Sequence, residues 1–405
     1  MGSPSKSLDP TLNTQAVRRH NLAVVLTHVA RRGALSRAHI ARDTGLSKTT
    51  VSSVVAELSD ARLLREVDGT PTGRAGRPSR AYAIDTRHLA AIALEVDVDG
   101  LSVAVVDLRG RLITHSAVAR DNRGRPAAEL ADALARLTRR ALVQTVGRGL
   151  EPVAIVVAIP GLVDFARGIV LLAPNLAMRH VPFAALLAEH LDAPSLPIIV
   201  DNEANLAALG ELAVGDGTAR PDFVYVSAGH GVGAGVIIGG RLYRGGGGFS
   251  GEFGHMTIRY DGTRCVCGSR GCVEVYTSLA TLLRLAGIKR RNGSAEAPVD
   301  VLRPRRPASD ARTLEAIGTV GRALGAGVAS LANLASPASI VLGGYVPDLA
   351  EWLLAPVQRE VLQRALVPCE IVLARVERDV RSRGAGHLTL ERVLEDPAAL
   401  RPLAR

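Results

Sequence analysis

The stretch "VSAGHGVGAGVIIGGRLYRGGGGFSGEFGHMTIRYDGTRCVCGSRGCVE", residues 226–274, runs from apolar strand material through a glycine-rich segment and then gathers three of the chain's four cysteines. His255, Cys265, Cys267 and Cys272 follow the spacing H-x9-C-x-C-x4-C. One imidazole and three thiolates are the donor set that suits a tetrahedral zinc with no open position, so the spacing reads as a structural zinc site, one ion per chain. Clustered thiols do not make a spread disulfide framework, and Cys265 and Cys267 stand too close in sequence for an easy bridge.

Working outward, buried strands are expected at "VAIVVAIPG" (153–161), "LPIIVDNE" (196–203) and "DFVYVSAGHGVGAGVIIGGRL" (222–242). "AAIALEVDVDGLSVAVVDLRGRLI" (90–113) reads as two strands with a turn at Asp99-Gly100. Strands alternating with Ala/Leu-rich helices indicate an α/β body. The chain has 405 residues, 47% hydrophobic with mean hydropathy +0.18, enough for a large core and two or three domains. It contains no run of about 18 uncharged apolar residues, and its first residues lack the apolar stretch of a secretory signal, so the expected location is the cytoplasm.

The formal charge of +10 is unevenly spread: residues 1–90 hold 14 Lys or Arg against 7 Asp or Glu, whereas the remainder holds 35 against 32. The front of the chain is therefore the part suited to phosphates. There Leu22, Val25, Leu26 and Val29 recur at i, i+3, i+4, i+7, the stripe of an amphipathic helix. In "GALSRAHIARDTGLSKTTVSSVVAELSDARLL" (33–64), Ser36 caps a short second helix, Leu35 and Ile40 form a hydrophobic staple, and Gly45 makes the turn. Ser47 caps a third helix with Val51, Val55 and Leu58 inside and Lys48, Thr49, Ser52 and Ser53 outside. Strands at "LLREV" and "SRAYAID" enclose "DGTPTGRAGRP", a basic Gly/Pro loop that can carry Arg74 and Arg77 into a minor groove. The candidate DNA contacts are Ser36, Arg37, Ser47, Lys48, Thr49, Thr50, Ser52, Arg74 and Arg77. This region, residues 1–85, resembles the winged helix-turn-helix of bacterial repressors.

The body, residues 86–405, resembles the ROK family of repressors, uncharacterised frames and sugar kinases. The motifs that carry the likeness are residues 226–256 of the opening stretch, "CVCGSRGCVE" (265–274), "VDNEANLAALGE" (200–211) and "IVLGG" (340–344). The resemblance implies two ribonuclease-H-like lobes of the actin and hexokinase type, with a sugar cleft between them and zinc beside the sugar. Carried over position by position, it assigns Asn175, Asn202, Glu203, Glu252, His255 and Glu274 to the sugar site, with Gly161 letting the backbone approach the ligand. Carboxylates and amides in a confined cleft suit a polyhydroxyl ligand, since each hydroxyl both donates and accepts.

The kinases of the family open this body with a D-x-G-G-T phosphate loop. Here the equivalent residues are Glu95 to Asp99; both glycines are gone, and Asp97 and Asp99 set carboxylates where a triphosphate would lie. The second phosphate segment reads Gly229-His230-Gly231, and Glu203 replaces the catalytic aspartate. All three departures fall on the ATP side. Two readings follow: a sugar-responsive transcriptional repressor whose cleft has lost kinase activity, or an ATP-dependent sugar kinase with a DNA-binding arm. Under the first, the partners are a roughly palindromic double-stranded operator, a sugar or sugar-derivative effector and further copies of the chain, as a homodimer or dimer of dimers. The segment 287–311, rich in Pro, Arg and Ala, reads as a loop between helices.

Overall fold

The apolar stripe of the first helix organises the head. In a computed structural model, which describes residues 10–68, 80–191, 196–214, 221–289, 302, 310–375 and 379–399, Leu22, Val25, Leu26 and Val29 of α1 (Pro10–Arg32) are all buried. β1 (Leu35–Ser36) leads into α2 (Arg37–Thr44), where the Ser36 hydroxyl accepts the His39 N–H and Gly45 closes the helix at φ 73°. Ser47 in turn accepts the Thr50 N–H and starts α3 (Lys48–Asp60), whose buried face is Val51, Val54, Val55 and Leu58. The hairpin of β2 (Leu64–Val67) and β3 (Ala81–Ile84) pairs Leu64 with Ile84 and Val67 with Ala81. β1 adds a third strand on β3, which a two-residue segment could not announce in sequence. Arg74 and Arg77, assigned to the wing, lie outside the described residues, as do 290–301 and 303–309 of the proline-rich segment.

The body is one topology used twice. In the first lobe, β4 (Leu89–Asp97), β5 (Gly100–Asp107) and β6 (Leu112–Ala119) form an antiparallel meander. After α4 (Ala127–Gly147), β7 (Glu151–Ile159) lies parallel to β4. A small sheet of β8 (Leu162–Asp164), β9 (Ile169–Ala173) and β10 (Met178–Val181) and the short α5 (Phe183–Glu189) precede β11 (Ile198–Asn202), which is parallel to β7. α6 (Glu203–Val214) follows directly. In the second lobe β12 (Phe223–Ala228), β13 (Val232–Ile238) and β14 (Arg241–Tyr243) repeat the meander. The short helices α7 (Val273–Thr277) and α8 (Leu279–Leu285) and the long α9 (Ala311–Ala335) lead to β15 (Ser339–Gly344), parallel to β12. α10 (Ala350–Arg364) connects it to β16 (Glu370–Leu373), parallel to β15. Each five-stranded sheet thus has its first strand in the centre, and β4 and β12 are mostly apolar, with Glu95, Asp97 and Ser227 only towards their C-terminal ends, because both faces are covered.

Two helices tie the lobes together. α6 leaves the first sheet yet packs on β12 and β13 of the second, while the last helix, α11 (Val380–Glu395), returns to β4, β5 and β7 of the first. They cross at a glycine contact: a Cβ on Gly384 would run into the backbone of Leu206 and Gly210, and one on Gly210 into the carbonyl of Val380. Closest approach of two helix backbones leaves no room for a methyl. Gly384→Ala should therefore destabilise the fold by about 1–3 kcal/mol through overpacking, read as a lower urea midpoint, whereas alanine at the open Gly147 should not.

Candidate functional site

The first lobe's contribution to the interlobe cleft comes from strand ends. Pro160 and Gly161 follow β7, Ala173 to Asn175 follow β9, and Asn202 and Glu203 stand where β11 becomes α6. The second lobe supplies Gly231 to Gly233, Gly251, Glu252, His255, Val266 and Glu274. All seven residues assigned to a sugar site therefore line one narrow cleft, with about 560 Å³ of atom-free space including its open mouth. Gly161 has φ 111° and lies against the carbonyl of Leu172, a position closed to any side chain. Asn202 donates to the Gly161 carbonyl at 2.7 Å and accepts the Ala204 N–H at 2.7 Å, so it caps α6 and shapes the wall. Glu274 holds the Val232 N–H with Oε2 at 2.9 Å. Burial pushes the Glu252 carboxyl above its ordinary value, with His255 pulling it down and Glu274 adding to the rise.

Adjoining this cleft, and sharing His255 with its wall, is a cluster of metal-type donors. The ligand atoms of His255, Cys265, Cys267 and Cys272 all lie within 4.8 Å of one another. His255 Nδ1 is 3.8 Å from Cys265 Sγ, and Cys267 Sγ is 3.8 Å from Cys272 Sγ. A tetrahedron with metal–sulfur arms of about 2.3 Å has edges of about 3.8 Å, so the donor set fits a four-coordinate ion without rearrangement. Burial pushes the Cys265 thiol up to about 12 and raises Cys272 as well; a bound dication supplies the charge that lets such thiols ionise. His255 has a second role, since its Nε2 lies on the other side, 4.0 Å from Glu252 Oε2 and inside the cleft.

Beside the cleft, behind Glu203 and next to Gly231, the region where the sequence lacks a phosphate loop is filled by the protein's own ion pairs. His230, in the β12–β13 turn of the second lobe, spans Asp97 at 3.3 Å and Asp99 at 2.8 Å in the first. Arg123 reaches Asp99 at 2.7 Å and Asp121 at 2.9 Å. Arg381, in the first turn of α11, pairs with Glu203 at 2.8 Å and Glu95 at 3.1 Å and lies 3.9 Å from Asp97, and the Ser382 hydroxyl donates to Glu95 at 3.1 Å. Burial raises Asp97, but the His230 hydrogen bond and the Arg381 charge outweigh it and bring the carboxyl to about 2. Glu203 goes the other way, raised by burial in spite of Arg381. Sequence reasoning missed Arg381 and Arg123. The one local signal was a cation in the first turn of a helix, where the macrodipole disfavours it unless carboxylates are at hand. A further interlobe pair, Arg244–Asp201 at 2.7 Å with the guanidinium over the Phe165 ring, was also not foreseen.

On the head, Arg37, Ser47, Lys48, Thr49 and Ser52 are exposed and Thr50 is half-buried, so the start of α3 presents short polar side chains and one cation outward. Arg37 stacks on Tyr82 at 5.1 Å. Ser36, by contrast, is buried and its oxygen is taken up in capping α2.

A winged helix-turn-helix head on a duplicated, actin-type body defines the class of transcriptional regulators built from a sugar-kinase fold. The ROK family model matches residues 91–392, and a MarR family model matches residues 23–75. The chain belongs to the ROK family, and it is a transcriptional regulator of that family. It is 30% identical over 348 residues to the xylose repressor of Bacillus spizizenii, covering 86% of this chain and 88% of that one. Its fold matches that of a crystallised ROK family transcriptional regulator, a homologue of the E. coli MLC protein, with TM-score 0.77, 24% identity and coverage of 95% and 98%. A ROK glucokinase from Streptomyces griseus, solved with glucose and AMPPNP, matches at TM-score 0.64 and 29% identity and covers 74% of this chain and 98% of its own. Among the described residues, no helix is long and apolar enough to cross a membrane.

The charged end of the cleft gives a pH dependence with a definite sign. Burial lowers His230, yet its hydrogen bond to Asp97 and the charges of Asp97 and Asp99 hold it above its ordinary value, with Arg123 opposing. A raised imidazolium stabilises the fold fully below the unfolded value of about 6.5, and the contribution is lost as pH rises through the higher folded value. Melting temperature of the wild type should fall relative to His230→Asn as pH is raised from about 6 to about 9. A gap between the two that stays constant over that range would contradict the pairing.

Proposed function

We propose that this regulator binds a monosaccharide or close derivative in the interlobe cleft, has no kinase activity, and represses transcription from a roughly palindromic operator under the control of that sugar. The observation that carries the reading is the asymmetry of the cleft. Its polyol side keeps Asn175, Asn202, Glu252, His255 and Glu274, while on its phosphate side Arg381, His230 and Arg123 are paired with Glu95, Asp97, Asp99, Asp121 and Glu203. A nucleotide triphosphate would have to displace those cations and then face Asp97 and Asp99. Glu203, the group in the general-base position, is already bound to Arg381. The names of the relatives support a sugar as the ligand: one is a xylose repressor, and a kinase of the family was solved with glucose.

The division proposed is a DNA-binding head over residues 1–85 and an effector-binding body over 86–405. Lys48, Thr49, Thr50 and Ser52 at the start of α3 read base edges, while Arg37 and the wing residues Arg74 and Arg77 contribute phosphate and groove contacts. A helix-turn-helix reads one half-site, so the working unit is a homodimer or a dimer of dimers. The His255, Cys265, Cys267, Cys272 cluster holds one zinc, whose charge fixes the loop and leaves His255 Nε2 and Glu252 to face the sugar.

Two experiments test this. Calorimetry with D-xylose and D-glucose should show binding that neither needs nor is strengthened by ATP and magnesium. Glu252→Ala should weaken it by about 1–3 kcal/mol, the range for a lost buried hydrogen-bonding group. Sugar phosphate formed at about 1–100 per second would return the protein to the enzymes. Elemental analysis should find close to one zinc per chain, and Cys267→Ser should lower both the metal content and the melting temperature. Metal-free protein that melts as the wild type does would remove the zinc.

A further inference from the structure

Helix α11 has one end against the cleft wall, through Glu203, and the other under the DNA-binding head. Its 16 residues make a rod about 24 Å long at 1.5 Å per residue. At the cleft end Arg381 holds Glu203 at 2.8 Å and Glu95 at 3.1 Å. Glu203 is also a wall of the ligand cleft and the first residue of α6, next to the capping Asn202. At the far end Leu394 and Glu395 form a groove with His20, Ala23, Val24, Thr27, His28 and Arg31 of α1. The Thr27 hydroxyl lies 3.5 Å from the Leu394 carbonyl, and the turn Pro397–Ala399 packs on the same helix.

The connection between the ends is continuous. One buried apolar cluster runs from Leu22, Val25 and Val29 of α1, through Leu388 and Val393 of α11, to Ala91 and Ala93 of β4. Over its first two turns α11 touches α6 backbone to backbone at Gly384 and Gly210, so the two helices cannot slide past each other without repacking. α1 in turn packs on the recognition helix α3.

We propose that Arg381 is the residue that reads the effector, and that α11 carries the reading to the head. The inference rests on the sugar-cleft reading above. A hydroxyl that donates to Glu203 competes for the lone pairs now directed at Arg381, and charge-assisted bonds of this kind are strong and directional. With Glu203 turned to the ligand, Arg381 is left to Glu95 and Asp97, and the N-terminal end of α11 takes a second resting position on the first lobe. The rod passes that change to α1 and α3. The ligand shifts the equilibrium because it binds Glu203 differently in the two positions of Arg381, which is the requirement for any coupling between sites.

Hydrogen exchange on the full chain, with and without saturating D-xylose or D-glucose, tests this without the operator. In the wild type, sugar should change amide exchange about tenfold or more in residues 385–395 of α11 and 20–32 of α1, as well as around the cleft. In Arg381→Gln, at a sugar concentration that saturates its cleft, the changes in both helices should vanish; Arg381→Lys, which keeps the charge, should restore part of them. Leu394→Ala, remote from the cleft, should bind sugar as the wild type does and keep the α11 change while losing that in α1. Sugar-bound wild type with unaltered exchange in α11, or Arg381→Gln with the full wild-type response, overturns the relay and leaves the cleft assignment standing. If neither sugar binds the wild type by calorimetry, the cleft assignment falls and the relay with it.

Discussion

Four carboxylates, Glu95, Asp97, Asp99 and Glu203, come together beside the cleft where the two lobes pack, and carboxylates so enclosed need partners. Left alone they would repel one another and any anionic ligand. Arg381 from the last helix, His230 from the second lobe and Arg123 from the first supply the opposite charges. The relative position of the lobes and the seating of α11 both depend on that exchange. The Arg244–Asp201 pair repeats the device at another point of the same interface, with its carboxylate almost wholly buried.

The polyol side is built on different physics. There the groups are positioned by backbone turns and caps: Gly161 at a positive φ, Asn202 ending β11 and starting α6, Glu274 fixed by the Val232 N–H. The thiol and imidazole cluster adjoins them and shares His255 with the cleft wall. A metal there would bind no substrate; it would stiffen a loop with little secondary structure to hold it.

The duplicated topology gives the regulator its geometry. Each lobe is a five-stranded sheet with the same strand order, and each contributes one helix that crosses to the other lobe or back. Because α11 is the later of the two, it can carry the chain from the cleft to a head that lies far away in sequence. The head is not a tethered module in this arrangement, since its α1 shares a buried cluster with α11 and β4.

Much of this was legible in the residues themselves. Periodicity and caps located α1, α2 and α3; the His255–Cys272 spacing located a metal-type cluster; the apolar runs located β4, β7, β11 and β12. Such features are local, governed by the 3.6-residue and 2-residue repeats and by side chains bonding backbone a few positions away, so a sequence determines them directly. The resemblance of separated motifs brought Asn175, Asn202, Glu252 and Glu274 together in advance. The sequence could not say what answers the charge of Glu95, Asp97 and Glu203. Their partner Arg381 lies 178 positions beyond Glu203, in a helix with no motif of its own. Pairing across such a span is set by where α11 packs, and that is decided by the glycine crossing with α6 and by burial of charge in the assembled cleft, quantities that exist only in the tertiary structure.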